Sequence, residues 1–132
     1  MLPFTVVLTS GQAPYRQIVY AATKAVVSGE MKSGDAFPSV RELSQALKIN
    51  PNTAQKVIAE LVRDGILEVR PGIGTIVAVA RRASAAERRE LLSKEVEQLL
   101  VEAKRLGLNK NEVEKAVASR WSQLFGNDRD AT

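Results

Sequence analysis

The chain has 132 residues, 45% apolar and 26% charged, a composition that excludes a disordered chain and fits one folded domain, or a small domain with an appendage. It contains neither Cys nor His, which excludes disulfides, thiolate or imidazole metal sites, and Ser-His, Cys-His or zinc-hydrolase catalysis. We therefore expect no metal, no cofactor and no enzymatic activity, and the net charge of +4 fits a polyanionic partner without requiring one.

The N-terminal third predicts a short extended segment followed by one helix. Residues 4–8 are apolar and are predicted as either a short strand or an extended arm; they lack the length and the preceding basic residues of a signal peptide. From Tyr15 to Ser28 apolar residues recur three and four apart, as on the buried stripe of a helix, and Gly29 is its stop. No stretch approaches the roughly 20 apolar residues of a membrane span, so we expect a cytoplasmic protein without a membrane partner.

Residues 38–64 predict two short helices. Ser39 and Glu42 form the capping box of the first, which ends near Lys48. The residues predicted on its buried side are Val40, Leu43, Ala46 and Leu47. Asn50 is the predicted cap of the second helix, which starts with a proline and runs to about residue 64. The residues predicted to face inward from it are Ala54, Val57, Ile58, Leu61 and Val62.

A β-hairpin and a helical tail follow. Residues 66–70 and 75–79 flank a turn with two glycines, which predicts a hairpin. Beyond it, five apolar residues with heptad spacing form what we call the leucine seam: Leu92, Val96, Leu99, Ala103 and Leu106. Gly107 breaks that helix, and Asn109 with Glu112 is predicted to cap another, which completes an αα-hairpin. The apolar stripe of the last helix is Val113, Ala116, Val117, Trp121 and Leu124, in which Trp121 is predicted to be a packing anchor.

Together these elements predict a mainly α protein with a small β-hairpin wing. Residues 1–80 are expected to form a winged helix-turn-helix DNA-binding domain, and residues 81–126 a helical dimerisation region. Residues 127–132 are expected to be a flexible tail. Lys and Arg outnumber Asp and Glu by 8 to 6 in residues 1–80 and by 11 to 9 in residues 81–132, so each part nets +2 and any basic surface must be assembled by folding.

The chain resembles the GntR family of bacterial transcription regulators over about residues 12–79. The motifs that carry the resemblance are A-P-Y-R-Q-I at 13–18, G-E-M-K-S-G-D at 29–35 and G-I-G-T at 72–75. The tail, with E-A-K-R-L-G-L at 102–108, looks like that of the YtrA-like subfamily, in which a small dimerising region replaces a large effector domain. The resemblance implies a homodimer that binds an operator, usually represses, and often controls neighbouring transporter genes.

Two departures from the family pattern remove positive charge from the expected DNA face. Family members commonly carry Arg near position 55 or 56, where this chain has Gln55 and Lys56. They also commonly carry a basic residue between the wing glycines, where this chain has Ile73. We therefore expect an operator sequence different from that of close relatives, and weaker phosphate binding.

The candidate base contacts lie at the start of the second helix of the pair, because a recognition helix enters the major groove by its N-terminal end. Asn52 and Gln55 have side chains that pair with adenine, Thr53 can meet a thymine methyl group, and Lys56 can reach guanine or phosphate. Asn50 is expected to act only as a cap, whereas capping and DNA contact are equally open for Thr53.

The remaining candidates lie on the first helix, the wing and the tail. Arg41 is predicted to clamp a phosphate or a guanine, with a surface ion pair as its alternative. Ser39 is chiefly a cap that lies close to the DNA backbone. The wing contacts are predicted to be Arg70, Gly72, Gly74 and Thr75, although the glycines are also required by the turn itself. The leucine seam is predicted to be a dimer contact, with packing inside one chain as the alternative.

The prediction is thus a dimeric, sequence-specific regulator whose partner is double-stranded DNA. The alternative is a winged-helix protein-interaction module without DNA binding, because fold alone does not fix function. The polar start of the second helix disfavours that alternative, since a protein-binding face would expose more Leu or aromatic surface. Whether a small-molecule effector binds is left open, because a tail of about 45 residues is too small to enclose a typical ligand cavity by itself.

Overall fold

A computed structural model describes residues 2–126, which form two compact units with a boundary between Arg81 and Arg82. The first unit contains α1 (Pro14–Val27), α2 (Val40–Leu47), α3 (Pro51–Arg63), β1 (Leu67–Arg70) and β2 (Gly74–Val77). The second contains α4 (Ala85–Glu90), a π-helical turn (Leu91–Glu95), α5 (Val96–Arg105) and α6 (Lys110–Phe125). The tail predicted at 127–132 lies outside the described residues. Within residues 2–126, no helix has the length and apolarity needed to cross a membrane.

The segment at residues 4–8 is an extended arm and forms no strand. Gln17 of α1 holds the arm by imitating a backbone pairing. Its Oε1 accepts from the Thr9 amide at 2.8 Å, and its Nε2 donates to the Thr9 carbonyl at 2.8 Å. Nearer the N-terminus, the Phe4 ring stacks on Phe37 with 5.7 Å between ring centroids. The arm therefore closes one side of the core of the first unit.

The core of the first unit lies among the three helices and the hairpin. The helix α3 packs against α1, α2 and β1, so the predicted recognition helix is also the central element of the fold. The apolar stripes predicted for α1 and α3 supply seven of the thirteen buried residues described in this core. The buried residues of this core are Phe4, Ile18, Ala22, Ala25, Met31, Phe37, Leu43, Ala54, Val57, Ile58, Leu61, Leu67 and Val77.

The capping box of α2 is present, but its buried face differs from the prediction. Ser39 Oγ accepts from the Glu42 amide at 3.1 Å, and Glu42 Oε1 accepts from the Ser39 amide at 3.0 Å. The prediction that Ala46 is buried is wrong: it is exposed, and Ser44 is buried instead. The face is rotated toward Ser44, whose hydroxyl is satisfied by donating to the Arg41 carbonyl at 3.1 Å.

The wing is an antiparallel hairpin with Leu67 opposite Val77 and Arg70 opposite Gly74. The Ile73 amide donates to the Arg70 carbonyl at 3.0 Å, and Gly72 has φ 79°, which is the geometry of a type II turn with proline at its first central position. Residues 34–37 extend the sheet by a single bridge between Ala36 and Ile76. This bridge was not predicted, because one pair of residues leaves no alternating pattern in the sequence.

The second unit has the predicted capped helices but almost no core of its own. The Asn109–Glu112 capping box begins α6 as predicted, and Ser84 with Glu87 forms another at α4. Among the described residues of this unit, Ala103 is the buried one. The backbones of α5 and α6 approach each other very little beyond the turn that joins them. The predicted αα-hairpin is therefore present in sequence order but does not close on itself.

Candidate nucleic-acid interface

The N-terminal end of α3 presents two exposed amide side chains that are free to bind a ligand. Asn50 Oδ1 accepts from the Asn52 amide at 2.7 Å, so Asn50 is the cap that the sequence predicted. Asn52 and Gln55 are exposed, and their side-chain amides bond to no other described residue. Thr53 is half-buried and its hydroxyl does not cap the helix. Two amide side chains are thus available to base edges, as bidentate adenine recognition requires.

Electrostatics at this end of α3 favour an anion. Residues 43–59 contain Lys48 and Lys56 and no Asp or Glu. The first amides of α3 and its helix dipole add partial positive charge at the same end. The carboxylates of α3 come later: Glu60 bonds to Arg63 at 2.9 Å, and partial burial together with a hydrogen bond to Glu60 raises the pKa of Asp64. The helix therefore separates a cationic start from an acidic end.

Arg41 extends from the first turn of α2 with its charge uncompensated. Its side chain is exposed and pairs with no carboxylate in the part of the chain that the structure describes. The surface ion pair considered as the alternative for Arg41 is therefore not formed. Ser39 is occupied by its capping box, in which hydrogen bonds from the Ser39 backbone and side chain lower the pKa of Glu42. Ser39 thus fixes the start of α2, from which Arg41 extends.

Lys56 has a partner that the sequence prediction missed. Its Nζ lies over the ring of Tyr15, 4.2 Å from the ring centroid, so the lysine joins α3 to the start of α1. Sequence reasoning placed Tyr15 at the start of a helix and in the family motif at 13–18, and gave it no contact with a cation. The available signal was an aromatic residue next to the proline that begins α1, but nothing in a single sequence indicates which cation it meets.

The tip of the wing is a glycine turn that carries an exposed apolar residue. A Cβ atom at Gly72 or Gly74 would meet nothing within 4 Å, so these glycines serve their φ angles of 79° and 120° and not a close approach inside the protein. Ile73, between them, is 73% exposed. Arg70 lies 3.6 Å from Glu68 in an exposed pair that contributes little. Thr75 is half-buried, and its carbonyl accepts from the Phe37 amide at 2.9 Å.

The leucine seam of the second unit is largely exposed in the single chain. Leu92 is 70% exposed and Leu99 is 51% exposed, while Ala103 is buried. The seam is not continuous as predicted, because Leu92 lies in the π-helical turn. A π turn accommodates one extra residue, so it shifts the residues before it out of the α-helical heptad register. Sequence periodicity could not reveal this, since it assumes uniform helix geometry.

A groove of about 550 Å³ lies between α5 and α6. Its walls are almost entirely apolar, and Trp121, 48% exposed, contacts Phe125 in a T-shaped arrangement with 5.0 Å between ring centroids. Trp121 therefore packs on one aromatic neighbour and leaves half of its surface uncovered. The other residues that line the groove are Leu99, Ala103, Leu108, Glu112, Val113, Ala116, Val117, Arg120 and Leu124.

The fold and the start of α3 define a winged helix-turn-helix protein of the DNA-binding class. The model of the family described as "Bacterial regulatory proteins, gntR family" matches residues 14–77. The transcriptional repressor YtrA of Bacillus subtilis strain 168 is 37% identical over 95 residues, which cover 71% of this chain and 73% of the repressor. The chain belongs to the GntR family and is a DNA-binding transcriptional regulator, and its predicted likeness to YtrA-type members is confirmed.

Two solved structures extend this likeness. A protein from Listeria monocytogenes EGD-e, described as a transcriptional antiterminator, has a TM-score of 0.81 and 27% identity and covers 95% of this chain and 94% of its own. YtrA from Sulfolobus acidocaldarius, a GntR-family transcription factor, has a TM-score of 0.60 and 28% identity over 74% of this chain and 96% of its own. The first match includes both units, so the small helical tail is shared with a relative and is not peculiar to this chain.

Proposed function

We propose that the protein is a repressor that binds a pseudo-palindromic operator as a homodimer. The observation that carries this proposal is the start of α3, where Asn52 and Gln55 are exposed and uncommitted at the cationic end of the helix. In this mode each copy places α3 in the major groove of one half-site, and occupancy of the site blocks transcription. The targets that the family resemblance implies are genes of a neighbouring transporter.

Each candidate residue has a role in this mode. Asn52 and Gln55 read bases, and Thr53 meets a thymine methyl group. Lys56 reaches guanine or phosphate, and Arg41 clamps a phosphate or guanine beside them. Ser39 fixes the helix from which Arg41 extends. The wing contributes its remaining candidates by close approach to the DNA backbone or minor groove: Arg70, Gly72, Gly74 and Thr75.

The second unit supplies the dimer contact. Many of its large apolar side chains are exposed, among them Val96, Leu99 and Leu100 of α5. Together with Ala103 they form one broad apolar face, in which Leu99 and Ala103 line the groove toward α6 and Val96 and Leu100 lie beside them. An exposed apolar surface of this kind marks an interaction site, so we assign this face and the open groove to a second copy of the chain.

Selection of bound duplexes from a random library, followed by footprinting, tests the operator. The expected result is an enriched inverted repeat with half-site centres about one helical turn apart, since two α3 helices then lie on one side of the duplex. Arg41→Ala is expected to weaken binding to the selected duplex by about 1–3 kcal/mol per half-site. Arg89→Ala is the matched control, because it removes the same charge from α4, an exposed helix of the second unit.

Two outcomes would contradict this function. One is the absence of any enriched sequence at low salt, together with a copurifying protein partner, which would favour the protein-interaction alternative. The other is preferential binding of RNA, which the likeness to the Listeria antiterminator makes worth testing. The geometry of the two duplexes favours DNA, because the major groove of an RNA duplex is too deep and narrow for side chains to read its bases.

A further inference from the structure

Lys56 is the cation of α3 that is held in place by an aromatic ring. Its ammonium lies 4.2 Å from the centroid of the Tyr15 ring, within the range of a cation–π interaction. We propose that Tyr15 is a positioning residue that holds Lys56 for a phosphate of the DNA backbone. This inference rests on the proposed function, and it narrows the role of Lys56 from guanine or phosphate to phosphate alone.

The ordinary partner of Lys56 is already engaged. Glu60 lies one turn further along α3, where an i,i+4 ion pair with Lys56 would normally form. Instead Glu60 bonds to Arg63 at 2.9 Å. No carboxylate among residues 2–126 lies within ion-pair distance of Lys56. Among these residues no ion pair therefore neutralises Lys56, while its contact with the ring restricts its position.

The ring of Tyr15 restricts the movement of Lys56 but leaves N–H donors of its ammonium free. A lysine ammonium has three N–H donors and no acceptor, and a ring face occupies one side of it. Tyr15 is half-buried and packs on the core, so the ring is itself fixed by the contact between α1 and α3. Lys56 therefore keeps donors for phosphate oxygens while losing part of the rotamer freedom that a free lysine gives up on binding.

The position of the ammonium favours a phosphate over a base. Reading guanine requires the side chain to extend from α3 toward the floor of the groove, as Asn52 and Gln55 are free to do. The Lys56 side chain instead turns sideways to the first turn of α1. At the side of a helix that occupies the groove, the anionic partner is the sugar-phosphate backbone.

A double-mutant cycle on the selected duplex tests the coupling. Tyr15→Leu is expected to weaken binding about two- to fivefold per half-site, the range that corresponds to an exposed cation–π contact. Tyr15→Phe keeps the ring and is expected to bind like the wild type. In a Lys56→Met background, Tyr15→Leu should have no further effect. Lys56→Met alone should reduce the dependence of log affinity on log salt by about one phosphate contact per half-site. Tyr20→Leu, at an exposed tyrosine of the same helix, is the matched control.

The outcomes separate the inference from the function on which it rests. If the wild-type chain selects no duplex, the proposed function fails. If it binds but the Tyr15→Leu and Lys56→Met losses simply multiply, or Tyr15→Phe binds as weakly as Tyr15→Leu, the positioning role of Tyr15 is overturned. A measurement on the free wild-type chain guards against a misfolded variant. The ring should move the NMR signals of the Lys56 ε-methylene protons upfield of those of the other lysines, and ordinary lysine shifts would contradict the contact.

Discussion

The two units of this chain differ in how much of their apolar surface they bury. The first unit buries many of its large apolar side chains, some of them completely, as at Ile18, Leu43 and Leu61. The second buries Ala103 among its described residues and exposes most of its large apolar side chains: Leu91, Leu92, Val96, Leu99, Leu100, Val101, Leu106, Leu108, Val117 and Trp121. The first unit thus buries its core within one chain, whereas the helices of the second need a partner to bury their apolar side chains.

The largest effect is expected from truncation in the core of the first unit. Leu61→Ala should lower the free energy of unfolding by about 2–5 kcal/mol, because the side chain is fully buried and leaves a cavity. This loss should not depend on protein concentration. The matched variant Leu106→Ala changes a 61% exposed leucine, and its effect should grow with protein concentration as the dimer forms. Equal, concentration-independent losses in denaturant titrations would contradict the difference between the units.

The next effect concerns the leucine seam. Leu99→Glu should raise the dimer dissociation constant by at least about a hundredfold, since two leucines per dimer, worth about 1.5–3 kcal/mol each when buried, are replaced by charges. It should leave unfolding of the first unit unchanged and weaken operator binding through loss of paired contact. Val7→Glu, at a 78% exposed position of the arm, should change neither property. If the Leu99→Glu chain associates as strongly as the wild type in sedimentation velocity, the seam is not part of the dimer contact.

A smaller effect compares two capping boxes with the same sequence pattern, S-x-x-E. Ser39→Ala should lower the free energy of unfolding by about 1 kcal/mol, because α2 is packed into the core. Ser84→Ala removes an equivalent bond from α4, whose residues are all exposed, so it should cause local fraying without a change in the unfolding midpoint of the first unit. Circular dichroism and denaturant titration distinguish the two results. Equal shifts in the midpoint would mean that α4 is coupled to the core of the first unit.

Local sequence signals predicted the elements well, and contacts between distant residues are what they missed. The caps Ser39, Asn50 and Asn109 marked helix starts because a cap is decided within four residues. The glycines of the wing predicted its turn correctly for the same reason, since a turn also depends on a few neighbouring residues. The exposure of Ala46 was missed because its helix is only eight residues long, and its rotation is set by what packs against it.

The candidate site was predictable in part for similar reasons. The exposed polar start of α3 follows from helix periodicity, so Asn52 and Gln55 were found on the predicted face. The Tyr15–Lys56 contact joins residues 41 positions apart and has no local pattern. The π-helical turn was not predicted either, because α-helical spacing was assumed throughout the leucine seam, residues 92–106. Both are products of tertiary packing, which a single sequence does not display.

The central claim is that two copies, joined through the second unit, place two α3 helices on one duplex. Sedimentation equilibrium of the protein with a selected operator duplex measures this directly, since each chain adds 14.4 kDa to the complex. The account predicts two chains per duplex with wild-type protein, and loss of that complex with Leu99→Glu. A saturated complex that contains one chain per duplex, or no complex at low salt, would contradict it.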